Sequence, residues 1–69
     1  MDFLVTVKNR PWFAVEAKVR DETPAKALRY FGERLQIPLL YQVVLGGHRD
    51  FESEGVRVVP APRFLASLA

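Results

Sequence analysis

Apolar and polar residues alternate along the first third of the chain, in two runs separated by a short polar break. The runs cover Phe3–Lys8 and Trp12–Arg20, and the break, Asn9–Pro11, contains two turn-forming residue types. Such a pattern predicts a β-hairpin in which each strand has one buried side. The more apolar side comprises Phe3, Val5, Val7, Phe13, Val15, Ala17 and Val19.

The period changes between Thr23 and Gln36, where apolar residues recur every three to four positions. Thr23 is a good helix N-cap, and Pro24 suits the first helical position. Ile37-Pro38 predicts the end of the helix, because a residue before proline avoids helical backbone angles. Gly32 lies mid-helix and indicates close approach of the helix backbone to a sheet. The side expected to face the core comprises Ala27, Leu28, Phe31 and Leu35.

The second half of the chain predicts further strands and a short final helix. Leu39–Leu45 is rich in strand-forming residues, and Val56–Val59 is a shorter run of the same kind. Gly46-Gly47 and Glu54-Gly55 are turn signals, and residues 48–53 between them form either a hairpin strand or a loop. Arg63–Ala69 is either a short helix or a tail.

These elements predict one α+β domain over residues 1–69, with an antiparallel sheet of about four strands in β-β-α-β-β order and a possible extra strand at 48–53. One main helix would lie on one face. The crossover through that helix would place the third strand beside the first, making the first strand central.

One helix covers only one face of a sheet, and we expect it on the more apolar side of the hairpin. The other face, with Leu4, Trp12 and Ala14, would then stay too apolar for water. Either the C-terminal segment folds back over this face, or a second copy of the chain does. The candidate self-association residues are Leu4, Trp12, Ala14, Phe64, Leu65 and Leu68.

Composition favours the second copy. The chain has 69 residues and no cysteine, which excludes disulfides and cysteine-type zinc sites. A domain this small needs additional stabilisation, and self-association is the most available source. No apolar run is long enough to span a bilayer, and the first residues lack the pattern of a signal peptide. We therefore expect a cytoplasmic protein without membrane contact.

Few residues suggest catalysis or metal binding. His48 is the only histidine, and it alternates with Asp50, Glu52 and Glu54. A solvated acidic loop explains this series better than a metal site, because one histidine and flexible carboxylates are a weak ligand set. No nucleophile has a supporting motif, and Gly46-Gly47 matches no phosphate-binding spacing. We expect no enzyme activity, no metal and no cofactor.

The hairpin also combines basic residues with an aromatic ring. A nucleic-acid strand can stack on tryptophan while cations contact its phosphates, although Glu16 weakens the positive field and no RNA-binding motif is present. The candidate contacts are Lys8, Arg10, Trp12, Lys18 and Arg20. The favoured hypothesis is a non-enzymatic interaction module that forms a homodimer and binds a protein partner. A nucleic-acid-binding protein is the alternative.

Overall fold

The computed structural model describes residues 2–20, 26–46 and 49–68. They form five strands and two helices, an α+β arrangement as predicted. The elements are β1 (Phe3–Val7), β2 (Arg10–Lys18), α1 (Lys26–Arg34), β3 (Leu39–Val44), β4 (Phe51–Ser53), β5 (Val56–Pro60) and α2 (Ala61–Ser67). The predicted helix cap at Thr23 and Pro24 lies outside the described residues.

The sheet is mixed, in the order β1-β2-β3-β5-β4. β3 is central and runs parallel to both β2 and β5, whereas the edge strands β1 and β4 pair antiparallel with β2 and β5. The prediction of an antiparallel sheet with the first strand central was therefore wrong. α1 returns the chain to the starting end of β2, so β3 pairs with β2 in the same direction rather than with β1.

Both hairpins close through two-residue turns with positive φ angles. Lys8 and Asn9 have φ of 51° and 67°, and Glu54 and Gly55 have 52° and 82°. Positive φ at both central positions is typical of the type I′ turn, whose twist matches that of the flanking strands. The Glu54-Gly55 turn was predicted, and the possible strand at 48–53 is confirmed over Phe51–Ser53.

α1 packs on the sheet face formed by Ala14, Leu40 and Val56, where Leu28 is fully buried. The prediction that the helix covers the opposite face, which carries Val5, Phe13 and Val15, was therefore wrong. The face that a crossover helix covers depends on the handedness of the connection, which residue alternation does not encode. Of the residues predicted to face the core, Ala27 and Phe31 on α1 and Leu35 just after it are exposed, and the buried residues of α1 are Leu28 and Gly32.

The opposite face is covered in part by α2. Phe64 is buried against a cluster formed by Phe13, Val15, Val43 and Val59. Its ring lies 6.4 Å from that of Phe13 and 5.2 Å from that of Tyr41, separations typical of favourable aromatic pairs. The C-terminal segment therefore folds back on its own sheet.

The predicted close approach at Gly32 is confirmed, because a Cβ there would lie 2.6 Å from Leu40 Cδ1. Gly32→Ala would gain about 1 kcal/mol of helix propensity, but overpacking costs roughly 1–3 kcal/mol. We expect a net loss in the free energy of unfolding, measured by urea denaturation. In a Leu40→Ala background the same change should stabilise, because the obstructing side chain is gone. Stabilisation in both backgrounds would contradict the contact.

Candidate interaction face

α2 packs over β3 and β5, and its Phe64 also packs against Phe13 and Val15 of β2. The exposed hairpin residues on this face are therefore at the edge strand, such as Phe3, and at the end of β2, such as Ala17. The two hairpin strands and the side of α2 enclose an open depression of about 360 Å³, which we call the apolar groove. Every residue lining it is apolar. The lining comprises Phe3, Val5, Phe13, Val15, Ala17, Val43, Leu45, Ala61, Phe64, Leu65 and Leu68.

Large side chains at the two margins of the groove are exposed. Phe3 on the edge strand is 63% exposed, and Leu65 and Leu68 on α2 are 64% and 56% exposed. Leu65 and Leu68 are three residues apart and therefore share one side of the helix. The groove presents no acid, base or hydrogen-bonding side chain, so what it offers a ligand is apolar contact.

A β-bulge extends this apolar surface to Trp12. Val5 pairs with Phe13, but the next residue, Thr6, pairs with Pro11, which leaves Trp12 as an extra residue in β2. Bulges of this kind re-aim a side chain, and the Trp12 ring meets that of Phe13 edge-on at 5.1 Å. Trp12 is half exposed and borders a second depression with Val7, Arg10 and Pro11.

The structure separates the predicted self-association residues. Leu4 pairs with Ala14 on the α1 side of the sheet, where Ala14 is fully buried, and Phe64 is buried in its own domain. Trp12, Leu65 and Leu68 are exposed on or beside the groove.

Sequence reasoning missed the hairpin side of the groove because it assigned that side to α1. One signal could have found it. α2 begins directly after β5, with no linker, so the helix has to pack on the strands nearest to β5 and leave the distant hairpin open.

The predicted nucleic-acid contacts lie at two ends of the hairpin. Lys8 and Arg10 lie near Trp12 at the turn, whereas Lys18 is six residues along β2 from Trp12, a separation of about 20 Å in an extended strand. Lys18 also lies 3.8 Å from Glu16. The structure thus brings three of the five residues together.

The acidic series around Asp50 does not form a cluster in the described part of the chain. Asp50 accepts hydrogen bonds from Arg57 Nε and Nη2, at 2.8 and 3.0 Å, and from Arg63 Nη1 at 2.7 Å. Glu54 pairs instead with Arg29 on α1, at 3.0 Å. His48 lies outside the described residues, which contain no group of three potential metal-ligating side chains.

The Asp50 network connects α2 to the sheet. Hydrogen bonds from the two guanidinium groups of Arg57 and Arg63 lower the pKa of the Asp50 carboxyl from 3.8 to about 2. Arg57 belongs to β5 and Arg63 to the first turn of α2, so one carboxylate positions the helix next to the strand before it. Phe64, the next residue, is thereby directed into the core.

No protein-family model, curated protein or solved structure matches this chain. In the part of the chain that the structure describes, no helix is long and apolar enough to cross a bilayer. The function has to be inferred from the geometry of the faces.

The lowered pKa of Asp50 predicts a specific loss of stability in acid. The carboxylate contributes stability that is fully present above about pH 4 and is lost as the pH falls towards 2, because protonation removes its attraction to Arg57 and Arg63. The free energy of unfolding should therefore fall over this window in the wild type and stay flatter in Asp50→Asn. Glu33→Gln, which removes an exposed carboxylate from α1, is the control and should follow the wild type. Parallel curves for Asp50→Asn and the wild type would contradict the network.

Proposed function

We propose that the protein is a small non-enzymatic interaction module that self-associates through the apolar groove and so presents a dimeric surface to a protein partner. The observation that supports this proposal is the wholly apolar lining of a groove left open beside α2. Large exposed apolar patches usually mark sites of association. A cytoplasmic location stays a prediction from the sequence.

The exposed apolar area is sufficient for a dimer. Taking a total area on the order of 200 Å² per large apolar residue, the exposed fractions correspond to roughly 700 Å² per copy. Two copies would then bury at most about 1,400 Å², which lies within the range for specific interfaces. The side chains counted are Phe3, Val7, Trp12, Leu45, Leu65 and Leu68.

Self-association also supplies the stabilisation that a chain of this length lacks. Its described residues bury two small apolar clusters, one on each side of the sheet. Covering the groove would enlarge the cluster around Phe13 and Phe64 without burying a charged side chain, because none lines the groove.

A charge in the groove should prevent self-association. Phe3→Glu places a carboxylate at an exposed margin position, so the monomer should still fold. Burying this charge should weaken the dimer by at least about 1.4 kcal/mol, which corresponds to a 10-fold increase in its dissociation constant. Light scattering across a concentration series measures this. Leu35→Glu, at an exposed position just after α1 on the other side of the sheet, should leave the mass unchanged. A wild-type monomer at every concentration would remove the proposal.

Nucleic-acid binding is the second candidate, favoured by the half-exposed ring of Trp12 beside Arg10. With a mixed-sequence single-stranded DNA oligonucleotide as the probe, Arg10→Glu should lower the affinity and reduce the slope of log K against log salt by about 1. Arg20→Glu changes the net charge equally and lies beyond the far end of β2, so it should retain most of the binding. Equal losses in both variants, or no binding by the wild type, would exclude a site at Trp12.

A further inference from the structure

The hairpin side of the groove has the width of one helix. β1 and β2 are neighbouring strands that together span about 10 Å, and Phe13 and Val15 form a buried floor between the exposed residues Phe3 and Ala17. An α-helix with its side chains has a diameter of about 10–12 Å. α2 already covers β3 and β5 on this face, so one more helix beside it would complete the layer.

α2 is apolar on its outer side and on the side that faces the groove, whereas its exposed polar residues Arg63 and Ser67 lie on the third side. Phe64 points into the core, while Leu65 and Leu68 line the groove. The exposed residues Pro62 and Ala66 are four apart and lie on the side of the helix away from Phe64. A surface helix normally carries charged residues on that outer side, whereas α2 has only Pro62 and Ala66 there.

The polar residues of α2 are directed elsewhere. Its one charged residue, Arg63, donates to Asp50 at 2.7 Å, and the Ser67 hydroxyl donates to the Phe64 carbonyl oxygen at 2.6 Å. Covering the outer side of α2 would therefore bury no unpaired charge, which is the main cost that opposes such an interface.

We propose that α2 of a second copy lies over β1 and β2 beside α2 of the first copy, and that the arrangement is reciprocal. The inference rests on the proposed self-association and specifies its geometry. The sheets of the two copies then enclose a layer that consists of the two α2 helices. A two-fold axis that passes between these helices relates the two copies. Leu65 and Leu68 of the two helices meet in the middle of this layer, and Pro62 and Ala66 contact the partner hairpin.

The same observations disfavour pairing of the two edge strands β1. Such pairing would join the two sheets edge to edge into one larger sheet, and the groove on the face of each copy would stay exposed. Leu65, Leu68 and the outer side of α2 would stay exposed. In the reciprocal packing Leu65 and Leu68 contact their counterparts, and the outer side of each α2 contacts the partner's hairpin, so all of these surfaces are covered in the manner of an isologous interface.

The absence of cysteine permits a direct test by site-specific cross-linking. Phe3→Cys and Ala66→Cys, mixed as separate single variants above the dissociation midpoint, should be joined by a short bismaleimide, and intact mass identifies the mixed dimer. Leu35→Cys mixed with Ala66→Cys is the matched control and should not be joined. A mixed dimer of Phe3→Cys with Val7→Cys, without the Phe3–Ala66 product, would show edge pairing and overturn the inference.

A second variant separates this inference from the proposed function. Ala66→Arg places a charge on the outer side of α2, at an exposed position that the monomer tolerates, and should abolish the dimer. If the wild type is dimeric and Ala66→Arg remains so, the helix layer is wrong while self-association stands. If the wild type is monomeric throughout, both fail.

Discussion

The parallel pairing of β3 with both of its neighbours is the constraint on which the rest of the structure depends. Strands in parallel arrangement are normally covered on both faces, because crossover connections place helices there. α1 satisfies this requirement on one face. On the other face the described chain offers only α2, which is seven residues long and covers β3 and β5. Beyond these strands lies the antiparallel edge strand β1, where Phe3 stays exposed at the margin of the apolar groove.

The position of α2 follows from two features that act together. The helix begins at the residue after β5, and Asp50 joins Arg57 of β5 to Arg63 in its first turn. Phe64 is thereby placed against Phe13 and Tyr41, and the aromatic contacts direct Leu65 and Leu68 over the hairpin. The direct connection from β5 and the burial of Phe64 thus place Leu65 and Leu68 at the groove, and the exposed Asp50 ion pairs join the same two elements.

The β-bulge at Trp12 has a comparable effect on the hairpin. A regular strand would alternate Trp12 with Phe13 across the sheet, as the residue pattern predicts. The extra residue in β2 instead brings the Trp12 ring edge-on to that of Phe13, while Lys18 lies six residues further along the strand. This placement adds an aromatic surface to the hairpin end and confines any basic surface near Trp12 to Lys8 and Arg10.

The elements themselves were determined locally. Alternation identified β1 and β2, helical period with Gly32 identified α1 and its close contact with Leu40, and Glu54-Gly55 identified the second hairpin, because each depends on neighbouring residues. Strand order, strand direction and the face covered by α1 were decided by the tertiary structure, because they depend on the path and handedness of a crossover that residue patterns do not encode. The candidate site shows the same division between local pattern and tertiary structure. The spacing of Leu65 and Leu68 was enough to identify them as candidates. The tertiary structure decided that Phe3 rather than Leu4 borders the groove, because α1 covers the opposite face of the sheet.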